Sequence, residues 1–181
     1  MLQTDILYIQ NYLRWKMITH DRALYTCCFI GHREIDETED LRTKLYETIE
    51  RLIICESIDT FLFGSKSRFD SLSLELVTAL KEKYPHIKRV CVRAEFPVIC
   101  DEYEAYLKKS YEHTYYPERL SGTGRAAYVM RNREMIDKSS FCIFYYDEKN
   151  VSPLRKSGTK TALDYARKKK KQIIMLPENK K

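Results

Sequence analysis

The sequence predicts an α/β fold, a mostly parallel sheet with helices on both faces, and three observations predict it. Short apolar runs alternate with longer segments whose apolar residues recur at helical spacing, the order of repeated β-α units. Right-handed crossovers between parallel strands bring their carboxyl ends to one edge. The chain has five glycines. Gly31, Gly64 and Gly158 each fall at the end of an apolar run or the start of a helical segment, which places them along that edge.

Residues 1–22 read as an N-terminal helical extension, because Leu2, Ile6, Ile9, Leu13 and Met17 recur at helical spacing. Residues 23–181 read as a single domain. Its first strand is Tyr25 to Ile30, followed by Gly31-His32-Arg33. Thr38 can cap the next helix, in which Leu41, Leu45, Ile49 and Leu52 form an apolar stripe. A second strand, Ile58 to Phe63, leads into a helix from about Ser67 that ends at Tyr84-Pro85. The third strand is Ile87 to Arg93. A short helix then covers about Asp101 to Lys109, and the tyrosine-rich stretch 111–117 reads as a flap over the sheet end or as surface packing. A long helix is expected from about Thr123 to Lys138, then a strand from Phe141 to Tyr145. Residues 147–156 read as a loop, Ser157-Gly158-Thr159 opens a further helix to about Lys170, and Gln172 to Leu176 is a last strand.

With 181 residues, the chain can bury a core without disulfide staples, and 44% hydrophobic content is ordinary for a globular domain. The net charge of +6 owes much to the run Arg167 to Lys171 and to the two terminal lysines. The rest is only mildly basic, which suits a small anionic ligand at least as well as a nucleic acid. Six cysteines show no C-x-x-C spacing, and Cys28, Cys91 and Cys142 lie in apolar runs, so buried reduced thiols are expected. The four histidines lack metal-ligand spacing, and neither a metal nor a cofactor is expected. No secretory or membrane-spanning segment is visible, so a cytoplasmic location is expected.

The stretch from Phe61 to Asp70 is the most informative. A strand ends in Gly64, and Ser65, Lys66 and Ser67 lead into a helix. Such a turn aims backbone N–H groups and a helix N-terminus at whatever lies above the sheet, an arrangement suited to phosphate. The plain alternative is a turn that uses Gly and Ser for conformation alone.

Four stretches occur in order: Gly31-His32-Arg33, Gly64 to Asp70 with Glu75, Arg131 to Asp137, and Ser157-Gly158-Thr159 through Ala166. Together they resemble the YpsA-like branch of the SLOG superfamily, Rossmann-like three-layer domains related to LOG enzymes and DprA. The resemblance covers about residues 25–176. It implies a pocket at the strand ends for a nucleotide or nucleotide-derived molecule, such as an ADP-ribose derivative or a cyclic nucleotide signal. The resemblance further implies that the ligand is sensed or sequestered, in a role linked to defence against phage.

Each matching residue has a ligand reading and a plainer one. Arg33 is a fork for phosphate or a solvated charge. Asp70 accepts ribose hydroxyls or is a favourable helix-end charge. Glu75, Arg131 and Asn132 face the pocket or form polar helix faces. Ser157, Gly158 and Thr159 cradle an anion or cap a helix. Gly31, His32, Gly64, Ser65, Lys66 and Ser67 complete the candidate ligand set.

LOG-type enzymes place a glutamate three residues after a Gly-Thr pair, and here that place is held by Ala162. Alanine can neither attack nor accept a proton, so a binding protein is favoured and no catalytic residue is assigned. The alternatives are a LOG-like hydrolase of an N-glycosidic bond, using Asp70 or Glu75, and DprA-like binding of nucleic acid through Arg167 to Lys171. That run also closes a helix, where cations are favourable in any case, so a nucleic-acid partner is not favoured. A homo-oligomer and no membrane association complete the expectations.

Overall fold

The computed structural model describes residues 25–64, 67–94, 98–121, 124–147 and 157–177. The first 22 residues, expected to form a helical extension, lie outside the described residues. Strand β1 (Thr26–Gly31) is followed by α1 (Glu39–Cys55), β2 (Thr60–Phe63), α2 (Arg68–Lys83), β3 (Lys88–Val92), α3 (Asp101–Ser110) and β4 (His113–Tyr115). Two short 3-10 turns, Glu118–Leu120 and Gly124–Ala126, precede α4 (Ala127–Asp137), β5 (Phe141–Tyr145), α5 (Gly158–Lys168) and β6 (Gln172–Leu176).

The six strands form one sheet in the order β4-β3-β2-β1-β5-β6, and every pairing is parallel. The chain winds outward from β1 to one edge, then returns through α4 to start again at β5 beside β1. This is a Rossmann-like α/β fold whose winding reverses between β1 and β5.

Strand alternation sorts the core into two layers. Cys27, Phe29, Phe61, Phe63 and Ile143 pack with the apolar faces of α1 and α2. The intervening Cys28, Ile30, Leu62, Cys142 and Phe144 pack with Met135 and Ile136 of α4 and with Leu163 and Ala166 of α5. Phe29 stacks on Phe63 with ring centroids 5.1 Å apart. Each such fully buried side chain contributes roughly 1.5–3 kcal/mol. Three helix starts, those of α1, α2 and α5, are capped as their residue types dictate. Thr38 Oγ1 accepts from the Leu41 N–H at 3.1 Å, Ser67 Oγ from the Asp70 N–H at 3.0 Å, and Ser157 Oγ from the Lys160 N–H at 3.2 Å.

Three expectations need correction. The tyrosine-rich stretch is no flap: residues 113–115 form the edge strand β4 beside β3, with Cys91 opposite Thr114. Tyr111 and Tyr115 are buried, so that part of the aromatic content is core. The long helix is shorter than expected, because Gly124 adopts φ +53° and a 3-10 turn precedes Ala127. Finally, Cys27, Cys28, Cys91 and Cys142 are buried free thiols, but Cys55 and Cys100 are exposed. A hydrogen bond with Cys28, together with burial, pushes the Cys142 thiol far up and keeps it protonated. Among the described residues, no helix is long and apolar enough to cross a membrane, and no cluster of side chains could hold a metal ion.

Candidate functional site

At the carboxyl ends of the strands, where the winding reverses, lies a cavity of about 850 Å³. Four elements enclose it: the loop after β1, the turn after β2, one face of α4 and the start of α5. Gly31, His32, Arg33, Gly64, Ser67, Asp70, Arg131, Asn132, Ser157, Gly158 and Thr159 line it. Three rim glycines far apart in sequence therefore meet at one place. The N-termini of both α2 and α5 open into the same space, and each concentrates partial positive charge there.

The turn after β2 is held from both sides. The Gly64 N–H donates to Asp70 Oδ1 at 3.1 Å, and Arg131 Nη1 donates to the Gly64 carbonyl. Arg131 Nε donates to Asn132 Oδ1 at 3.0 Å, and its guanidinium lies 5.7 Å from the Tyr128 ring centroid. Asp70 and Arg131 are both buried, so each carries a structural duty besides any contact with a ligand. The Arg68 N–H donates to the Arg33 carbonyl at 2.8 Å, tying the loop after β1 to the start of α2.

The glycines differ in what fills the space a side chain would take. A Cβ on Gly31 would come within 2.6 Å of the Phe69 Cβ, and a Cβ on Gly64 would collide with the Arg131 guanidinium. A Cβ on Gly158 would meet nothing within 4 Å. Of these three rim glycines, Gly158 is the one whose missing side chain leaves open space.

Glu75 does not join the site. Five helical positions beyond Asp70, it points away from the cavity and pairs with Arg42 of α1 at 2.5 Å. Ser65 and Lys66 lie outside the described residues. The side chains of the cup are also not predominantly cationic. Glu34 and Asp36 from the loop after β1 line it along with Asp70, opposing Arg33 and Arg131. Sequence reasoning missed Glu34, Asp36 and Tyr128. Tyr128 had a usable signal, since it lies four positions before Asn132 and so shares its helix face. Ala162, in the place of the LOG-type glutamate, is buried in the core beneath α5.

His32 joins the cavity to the end of β5. Its Nε2 accepts the Asp147 N–H at 3.1 Å, and the ring lies 5.3 Å from that of Tyr146. The proton of the neutral ring is therefore on Nδ1. Burial lowers the His32 pKa below its ordinary value, outweighing the interactions with Asp147. The unfolded chain thus takes up this proton first as pH falls. The stability linked to His32 is full above about pH 6.5 and is lost as pH falls through that value towards the lower folded pKa. His32→Gln, whose amide oxygen can still accept the Asp147 N–H, should flatten that loss. Urea midpoints between pH 5 and 8 test this, and parallel curves for the two proteins would exclude His32 as the cause.

No protein-family model matches the sequence, and no curated protein matches it. Among solved structures, the X-ray structure of DNA processing protein A (DprA) from Streptococcus pneumoniae matches with a TM-score of 0.57 and 15% identity. The match covers 86% of this chain and 51% of that one. The fold is DprA-like. At that identity the likeness to DprA concerns the fold alone, and the chain spans about half of DprA's length.

Proposed function

We propose that this is a YpsA-like SLOG domain whose cavity binds a nucleotide-derived small molecule, as a sensor or a sequestering protein in defence signalling. One observation carries the reading: two helix N-termini, those of α2 and α5, open into a single cavity at the point where the winding reverses. Phosphate oxygens suit the N–H groups at Ser67 and at Ser157 to Thr159, while Glu34 and Asp36 suit the hydroxyls or amino groups of the same ligand. A volume near 850 Å³ lies within the range of small-molecule sites and leaves room for more than a bare phosphate. The reading treats the molecule as a binder, since Ala162 offers no proton acceptor and Asp70 is already engaged with the Gly64 N–H.

A thermal-shift panel of ADP-ribose, cyclic nucleotides and mononucleotides should give a saturable rise in Tm with at least one member. Denaturing the complex should then release that ligand intact. Gly158→Val places its side chain in open cavity space, so the unliganded Tm should hold while affinity falls at least about tenfold. No shift with any phosphate-bearing member would overturn the reading. Recovery of free base with a sugar phosphate would replace it with hydrolysis of the N-glycosidic bond.

A further inference from the structure

The two helix starts that open into the cavity are not equally able to take an anion. Helix α2 carries its own. Asp70 lies buried in its first turn, where its Oδ1 accepts the Gly64 N–H at 3.1 Å. The Asp70 N–H is taken by Ser67 Oγ at 3.0 Å, and the Arg68 N–H by the Arg33 carbonyl at 2.8 Å. A carboxylate at the positive end of a helix already answers its partial charge. Helix α5, by contrast, has no acidic residue in its first turn. Thr159, 7% exposed, lines the cavity there, and its hydroxyl makes no hydrogen bond among the described residues. Beside it, the open space at Gly158 lets a ligand approach the backbone. The start of α5 is the seat left for a phosphate.

The opposite wall is acidic. The loop after β1 carries three carboxylates within four residues, Glu34, Asp36 and Glu37. Glu37 has a structural task, since its two oxygens pair with Arg42 at 2.6 Å and with Arg68 at 2.5 Å. That pairing, with the bond from Arg68 to the Arg33 carbonyl, holds the loop against the start of α2. Glu34 and Asp36 line the cavity instead, and their carboxylates make no hydrogen bond or ion pair among the described residues. No contact within the fold accounts for either. With Asp70 they set three carboxylates against one guanidinium, that of Arg33, so this wall is negative. Across the cavity, Arg131 and Asn132 of α4 and Ser157 to Thr159 of α5 bring no carboxylate.

We propose that Glu34 and Asp36 filter ligands by charge. They accept hydrogen bonds from an amine or from neighbouring hydroxyls at one end of the ligand, and they repel a second phosphate there. The ligand class is then a nucleotide with a single phosphate, seated at α5, and nucleoside diphosphates and diphosphate-bridged molecules are excluded. This rests on the nucleotide site proposed above and narrows its ligand. A volume of about 850 Å³ would admit a diphosphate, so the exclusion is one of charge and not of size.

The test is isothermal titration of the full chain with the ribonucleoside monophosphates, their cyclic forms and the matching diphosphates. At about 50 mM salt at least one single-phosphate nucleotide should bind, and the diphosphate of the same nucleoside should bind at least about tenfold more weakly. Raising the salt to about 500 mM should narrow that gap, because screening weakens the repulsion. In the double variant Glu34→Gln, Asp36→Asn, the diphosphate should gain at least about tenfold over the single-phosphate nucleotide. Glu34→Gln alone should close part of the gap. Damage to the loop would weaken both ligands and leave their ratio where it was. The charge filter is overturned if the diphosphate binds wild type as tightly as the single-phosphate nucleotide, or if the ratio does not move in the double variant. The nucleotide site itself survives either result. If no nucleotide binds either protein, both fall.

Discussion

Gly31→Ala should lower stability by about 3 kcal/mol, a fall of roughly 6–12 °C in Tm, in the protein without ligand. Gly31 ends β1 opposite Tyr145 of β5, and Phe69 at the start of α2 is fully buried against it. The added methyl would come within 2.6 Å of the Phe69 Cβ, an atom fixed by the helix backbone, so rotation of the ring cannot relieve the clash. Either α2 shifts or the strand end does. Both movements disturb Phe29 and Tyr145, whose rings lie 6.4 and 5.6 Å from that of Phe69. Urea unfolding measures the loss directly. A variant as stable as wild type would mean that Gly31 is a glycine for some other reason, such as close approach of a ligand.

The second large effect is a coupling. Gly64→Ala should cost about 2 kcal/mol, because its methyl displaces the Arg131 guanidinium from the Gly64 carbonyl and breaks a charge-assisted hydrogen bond. Arg131→Met should cost a similar amount by removing the donor, and it also empties the space the methyl needs. The double variant should therefore lose less than the two single losses combined, by at least about 1 kcal/mol. Four urea midpoints complete the cycle. Strict additivity would show that Arg131 does not occupy the space beside Gly64. The same cycle explains why Gly64 is a poor place to test ligand binding and Gly158 a good one.

Much of the fold was legible in the residues. The apolar stripe of Leu41, Leu45, Ile49 and Leu52 faces the core as its spacing requires, and Thr38 and Ser157 cap the helices they precede. The edge strand was harder to read. Three residues in an aromatic stretch carry too little alternation to separate a strand from a surface loop, and β4 exists because β3 has an open side for it. Glu75 was misplaced because its proximity to Asp70 along the chain hid a rotation around the helix. Glu34 and Asp36 were passed over because a loop has no period from which to read a direction.

From its own residues alone, the chain determined most of its strands and helices, β4 and the start of α4 excepted, where the other strand ends lie, and that three glycines mark a common rim. Local periodicity and capping chemistry carry that information within a few residues. Only tertiary structure decided what each of those glycines makes room for: Phe69 at Gly31, Arg131 at Gly64, open cavity at Gly158. A glycine records in sequence only that a side chain is absent. The group that takes the vacated space arrives from elsewhere, 67 positions away in the case of Gly64 and Arg131, and packing alone brings it there.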